Sequence, residues 1–279
     1  MRITCGRIVR FLFNRSSAAK AEALNLSAEH FKTHRDDFEY HFKGMLVKDS
    51  ENYPSLLNNG YLHIDKAIDL LRYLRLDPCN SIVDVGAADG RISQKFIEAF
   101  PDSTAYAFEP IGSTFELLKE RVSGNKHIIA VNKALGSEEK ELPIHLSQRI
   151  TSSSFFDIER NISNQFFSEN LKDIGAESVA VSTLDREIPA DQDVSILKVD
   201  VQGFELEVLR GGKNTLKRTA IVVVEMQNHD LYVGAPKYCD IDEFLRDNNF
   251  ELYDVIPSIR QDKKLYEWDS IYVNKNIPR

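Results

Sequence analysis

The stretch Ser81-Ile82-Val83-Asp84-Val85-Gly86-Ala87-Ala88-Asp89-Gly90 decides the fold of this chain. Ile82, Val83 and Val85 make a short β-branched run, the composition of a parallel strand buried on both faces. It runs into Gly86 and Gly90 with only small residues and one acid between them. Ile92, Phe96, Ile97 and Phe100 then recur on one face at helical spacing. Strand, tight turn and helix in this order open a nucleotide-binding α/β sheet. The glycines let backbone approach a ligand, and the start of the helix carries N–H groups without helical partners.

The ligand is narrowed by what the turn lacks. The dinucleotide fingerprint G-x-G-x-x-G needs a middle glycine against the pyrophosphate. Positions 86–91 read Gly-Ala-Ala-Asp-Gly-Arg, so that glycine is missing. Asp84 and Asp89 add negative charge where an anion would lie. A ligand with a cationic end and no phosphate suits the turn better. S-adenosylmethionine (SAM), with its ammonium and sulfonium, is such a ligand. An NAD site and a turn with no ligand are the alternatives.

Downstream, the βα rhythm continues. Thr104–Phe108 reads as a second strand, ending at Glu109-Pro110. Glu109 follows Gly86 by 23 residues, where this architecture places an acid on the ribose hydroxyls. His127–Val131 reads as a third strand, and Asn132-Lys133-Ala134-Leu135-Gly136 follows at the adenine end. From Ser137 to Glu187 the rhythm stops, and two alternating runs around a Ser-rich, aromatic loop (Ser153, Ser154, Phe155) read as an inserted β segment. It resumes with Val194–Val199, followed by Asp200-Val201-Gln202-Gly203, and a helix that Gly211-Gly212 is expected to end as a left-handed cap. Ala220–Val224 is wholly apolar, and Glu225 to Asp230 reads as the loop after it. Two final strands joined by a charged hairpin bring the total to seven, the last two antiparallel in part. Ahead of the sheet, Ile64, Ala67, Ile68, Leu71 and Leu74 mark an amphipathic helix.

The chain has 279 residues, a formal net charge of -8, 42% hydrophobic and 28% charged residues. This is the composition of a globular domain, and its acidity argues against nucleic acid as a partner. Cys5, Cys79 and Cys239 are too scattered for a disulfide framework or structural zinc site, which points to a reducing cytoplasm. Residues 1–20 are basic and partly apolar, readable as a helix packed on the protein or as a peripheral membrane contact. His30 and His34 share a helical spacing but lack persuasive partners for a metal.

Taken in order, Ile82 to Gly90, Ala107 to Pro110, Asn132 to Gly136, Thr183 to Asp185, Leu197 to Glu205 and Leu209 to Gly212 resemble the FkbM family of SAM-dependent methyltransferases. The resemblance spans Ser81 to Val273. It implies a seven-stranded Rossmann-like α/β sheet with helices on both faces, expected over residues 61–279; residues 1–60 fall outside the resemblance and are read as a helical N-terminal extension. It also implies O-methylation, often of sugars or polyketide-type hydroxyls, with a small-molecule or glycan acceptor. One departure stands out: the family usually carries Asp-x-Glu-Gly where this chain has Asp200-Val201-Gln202-Gly203. A degenerate binding module is therefore a further alternative.

Methyl transfer to oxygen requires in-line positioning and removal of the hydroxyl proton. At the carboxyl edge of the sheet, Asp200, Glu225 and His229 are the candidate bases, and Gln202 the residue to position a hydroxyl. Asp84, Gly86, Ala87, Asp89, Gly90, Glu109, Pro110, Asn132, Lys133 and Ala134 are the expected SAM-binding set. A divalent cation gathered by Asp185, Asp200 and Glu225 is an alternative that the spacing does little to support. The metal ligands, if any, and the oligomeric state are unknown at this level.

Overall fold

The structure, a computed structural model, describes residues 61–76, 81–147, 153–156, 173–228, 232, 234–261 and 264–277, all within the compact unit Tyr61–Arg279. The expected N-terminal extension, its basic stretch, His30, His34, Cys5, Cys79 and His229 lie outside the described residues.

The elements are helix α1 (Leu62–Tyr73), β1 (Ser81–Val85), α2 (Arg91–Ala99), β2 (Thr104–Phe108), α3 (Gly112–Val122), β3 (Ile128–Val131), β4 (Ala134–Leu135), β5 (Lys140–Ser147), β6 (Asp173–Ser182), α4 (Leu184–Glu187), β7 (Val194–Val199), α5 (Glu205–Arg210), α6 (Lys213–Lys217), β8 (Thr219–Gln227), α7 (Tyr238–Asp247), β9 (Phe250–Gln261) and β10 (Lys264–Asn274). Seven strands form one sheet in the order β3-β2-β1-β7-β8-β10-β9. β1 pairs parallel with β2 on one side and β7 on the other. The chain thus winds outward from β1 in one direction and restarts beside it in the other. That reversal opens a crevice at the carboxyl ends of β1 and β7, where such sheets bind ligands.

The alternation of side chains divides the core into two layers. Ile82, Ile196, Ile221, Val223 and Ile271 face α1 and α2, meeting Ile64, Ala67, Leu71 and Phe96. Val83, Val85, Leu197, Val199, Val222 and Val224 face the other way, against Leu206 and Leu209 of α5 and Ile241 and Leu245 of α7. Both faces are covered, so β1 and β7 are buried at every position and read as continuous runs in sequence.

The interruption of the rhythm is a second sheet, β4-β6-β5. β5 and β6 are antiparallel, and β4 pairs parallel with β6. Ser154 bridges to His145 of β5, and Phe155 stacks at 4.6 Å on Phe204, just after the loop that follows β7. The insertion is thereby anchored on the site loop.

Two expectations are corrected. β8 runs on through Glu225 to Gln227, because antiparallel β10 extends the ladder past its parallel neighbour, pairing Glu225 with Asp269 and Gln227 with Glu267. Gly211-Gly212 is no left-handed cap: both residues have negative φ, -77° and -121°. Glycine is needed there for close approach, since a Cβ on Gly211 would lie 1.9 Å from the Gly136 carbonyl oxygen.

Phe96 is wholly buried between α2 and the sheet. Phe96→Ala is expected to cost about 3–5 kcal/mol, measured by urea unfolding.

Candidate active site

The glycine turn is bonded internally. Gly86 and Ala87 donate their N–H groups to the Phe108 carbonyl at 3.0 and 2.9 Å, and Gly90 donates to Ala87 at 2.9 Å. Ala88 donates at 3.1 Å to Glu109 Oε2, while Ile111 N–H donates at 3.0 Å to Glu109 Oε1. Glu109, 5% exposed, therefore ties the loops after β1 and β2 together. Burial pushes its carboxyl up to about 7, against the pull of the Ile111 and Ala88 N–H groups. Asn132 Nδ2 braces the same loop from below, donating to the carbonyls of Glu109 and Pro110 at 2.9 Å each. Gly86 has φ +76°, and a Cβ there would meet the Asp200 carbonyl oxygen at 1.9 Å. Two strand ends thus approach closely at the switch point, and only glycine permits it.

Beneath the turn lies a buried ion pair. Asp84 and Lys198 are register partners on β1 and β7. Lys198, 2% exposed, places Nζ 3.3 Å from Asp84 Oδ1 and 3.7 Å from Asp200 Oδ2. It donates to the carbonyls of Val85 and Gly86 at 3.2 and 2.8 Å. Asp84 Oδ2 accepts from Ser93 at 2.6 Å. Asp84 Oδ1 has no hydrogen bond, so its link to Lys198 is ionic contact without donor geometry. Burial alone would push the ammonium down, but Asp84 and Asp200 outweigh it and hold its pKa above the usual lysine value.

Above the pair, the loop after β7 carries Asp200 and Gln202. Gln202 has φ +56°, a left-handed conformation uncommon for a residue with a side chain. Its Nε2 donates to Asp200 Oδ1 at 3.0 Å and to Glu225 Oε2 at 2.8 Å; its Oε1 accepts from Tyr232 at 3.1 Å. Ser154 Oγ from the insertion donates to the Gln202 carbonyl at 2.6 Å. Glu205 closes the loop by accepting from the N–H groups of Val201 and Gly203. The Asp200 side chain is 34% exposed, and Glu225 is likewise only partly buried. Burial, then Asp200, pushes Glu225 well above the usual carboxylate range.

Against this geometry, a family model, the methyltransferase FkbM domain, matches residues 84–252, more than half of the 279. The chain belongs to the FkbM methyltransferase domain family. The 2-O-methyltransferase NoeI of Sinorhizobium fredii is 24% identical over 159 residues, covering 55% of this chain and 65% of the relative. Methyltransferase 1 of Beauveria bassiana is 27% identical over 166 residues, covering 54% and 64%. The chain thus spans somewhat less than two thirds of the length of either curated relative. Among solved structures, magnesium protoporphyrin IX methyltransferase of Synechocystis PCC 6803 is 11% identical, covering 90% of this chain and 96% of that one at a TM-score of 0.43.

Within this FkbM domain the expected residues divide. Gly86, Ala87, Glu109, Pro110, Asp200, Gln202 and Glu225 gather at the carboxyl edge. Asp84 lies below the turn. Asp89 faces outward, paired with Arg91 at 3.0 Å and Arg121 at 2.8 Å. Gly90 packs on α3, where a Cβ would lie 2.6 Å from Leu118 Cδ1. Lys133 pairs with Glu187 at 2.7 Å, and Ala134 is buried in β4. Asp185 caps α6, accepting from Asn214 N–H at 3.1 Å and Thr215 N–H at 2.7 Å, away from Asp200 and Glu225. Among the described residues no three His, Cys, Asp or Glu side chains are arranged to hold a metal ion.

Sequence reasoning missed four members. Lys198 carried a signal, a lone cation in an apolar strand facing a lone acid in the next. Glu267 and Asp269 carried none, since only the β8–β10 pairing brings them to the edge, and His63 none, since it comes from α1. His63 Nδ1 lies 3.3 Å from Asp269 Oδ2, and burial followed by Lys198 pushes its pKa down to about 4.

Lys198→Met leaves Asp84 charged and buried, and is expected to cost about 3–5 kcal/mol in denaturant unfolding. Adding Asp84→Asn should recover most of that loss; a double variant no more stable than the single would refute the pairing.

Proposed function

We propose that this FkbM domain is a SAM-dependent O-methyltransferase acting on a hydroxyl of a small molecule or glycan in the cytoplasm. The observation that carries the donor assignment is the carboxylate of Glu109, fixed between two loops beside a turn whose N–H groups at Gly86, Ala87, Ala88 and Gly90 are already bonded. A phosphate would find none of these donors available. A ribose diol would find a carboxylate acceptor, and a cationic end would find Asp200. The residues present therefore fit SAM, held by the Gly86–Ala88 turn, Glu109 and the Pro110–Asn132 side of the crevice. When bound, SAM supplies an electrophilic methyl carbon.

The chain's own groups do the rest. The Gly86 turn and Glu109 fix the donor's place. Asp200, its side chain 34% exposed, orients an acceptor hydroxyl and takes its proton; Gln202 holds Asp200 in position. The insertion, seated on the Gln202 loop through Ser154 and Phe155, forms the acceptor side. The 2-O-methyltransferase activity named for NoeI supports a hydroxyl acceptor. Among the described residues no helix is long and apolar enough to cross a membrane.

Calorimetric titration with SAM, S-adenosylhomocysteine and NAD tests the donor. Release of S-adenosylhomocysteine over a panel of methyl glycosides tests the acceptor. SAM should bind and NAD should not; NAD binding without SAM would contradict the proposal. Because Glu109 ionises at about 7, SAM affinity should fall as pH drops from 8 to 6, when the carboxylate gains its proton. Glu109→Gln should weaken SAM about 10- to 100-fold and flatten that pH dependence.

A further inference from the structure

Among the described residues, the carboxyl edge holds more carboxylates than lysines and arginines. Facing Glu225 are Asp200, Gln202 and Glu205 after β7, Lys198 on β7 and through it Asp84 on β1, Glu267 and Asp269 on β10, Tyr232 after β8 and, through Asp269, His63 on α1. Asp65 of α1 is paired with Lys95 of α2 at 2.6 Å. Lys198 is the only lysine or arginine in this set, and its nearest carboxylate is Asp84. Asp200 and Glu225 share one neutral donor, the Gln202 amide, with Gln227 adding a bond to Glu225 at 3.2 Å. The two carboxylates are thus held together by the Gln202 amide, and Lys198, 3.7 Å from Asp200, is shared with Asp84 at 3.3 Å.

We propose that the Asp200–Glu225 pair, clamped by Gln202, is the proton acceptor of the methyl transfer and that its proton occupancy follows the charge on the donor sulfur. This rests on the donor assignment above. Before the donor enters, burial and the neighbouring Asp200 push Glu225 above the usual carboxylate range, which favours a proton on it. A sulfonium nearby favours the doubly ionised pair, so the proton leaves to solvent. In the transfer, the acceptor oxygen bonds the methyl carbon. The carbon–sulfur bond breaks with its electron pair on sulfur, and the hydroxyl proton passes to the pair. The sulfur becomes neutral as the pair regains its proton, so net charge in the site is unchanged. The Asp200 side chain, 34% exposed, is open to an acceptor.

The test compares SAM with S-adenosylhomocysteine, which differ by one methyl group and one positive charge. Calorimetry at pH 7 in phosphate, HEPES and Tris gives the protons exchanged from the dependence of heat on buffer ionisation. SAM should release a large fraction of one proton more than S-adenosylhomocysteine. Protons moved by Glu109 cancel in the comparison, because both ligands carry the same ribose. Glu225→Gln, checked for folding by thermal melting, should abolish the difference, and Asp269→Asn should keep it. Asp200→Asn is the second variant and should also abolish it. Equal release for the two ligands overturns the proposal, as does a difference that survives in Glu225→Gln or Asp200→Asn, or one lost in Asp269→Asn alone. Binding of neither ligand overturns the donor assignment instead, a distinct result.

Discussion

The contact on which the site depends is that of Lys198 with Asp84, buried between β1 and β7. An ammonium and a carboxylate at this depth each carry a desolvation cost of several kcal/mol, offset only while both are present and hydrogen-bonded. Lys198 meets that condition by reaching the carbonyls of Val85 and Gly86, where β1 turns. The pair therefore adds more specificity than stability. It pins the end of β1 to the end of β7 and holds the crevice at a fixed width. Gly86, with no side chain, lets the Asp200 carbonyl come within that width.

The same cation sets the electrostatics above it. Its charge is shared between Asp84 at 3.3 Å and Asp200 at 3.7 Å, and neutral donors complete the hold on the carboxylates farther along the edge. Gln202 is the main one. A carboxylate at this position would stand within hydrogen-bond distance of both Asp200 and Glu225, and three acids there would need a proton or a cation to coexist. The amide removes that need. The resemblance to families with glutamate at this position and the observed clamp are thus reconciled: the substitution preserves the loop while changing what holds its acids together.

Much of this was legible in the residues. The β1 turn, the strand at Val194–Val199 and the acid at Glu109 lie in local patterns of period, glycine placement and spacing, and the structure places them as those patterns imply. Glu225 was assigned to a loop because an apolar run ended before it. What extends the strand is β10, a partner some 45 residues later in the chain, and no local pattern reports a ladder of that range. The same pairing carries Asp269 and Glu267 to the edge, and α1 carries His63. Gly211 and Gly212 were legible as glycines but not by reason: their need is contact with Gly136 and Leu184, not handedness. Composition identifies special positions; long-range packing decides why they are special.

The most direct measurement is a crystal structure of this protein with S-adenosylhomocysteine. The account expects the ribose hydroxyls on Glu109 and the sulfur on the side of the Asp200–Gln202–Glu225 clamp. It would be contradicted by a ligand seated elsewhere, for example in the groove of about 650 Å³ between α5 and α7 lined by Phe156, Phe204, Glu207 and Arg210.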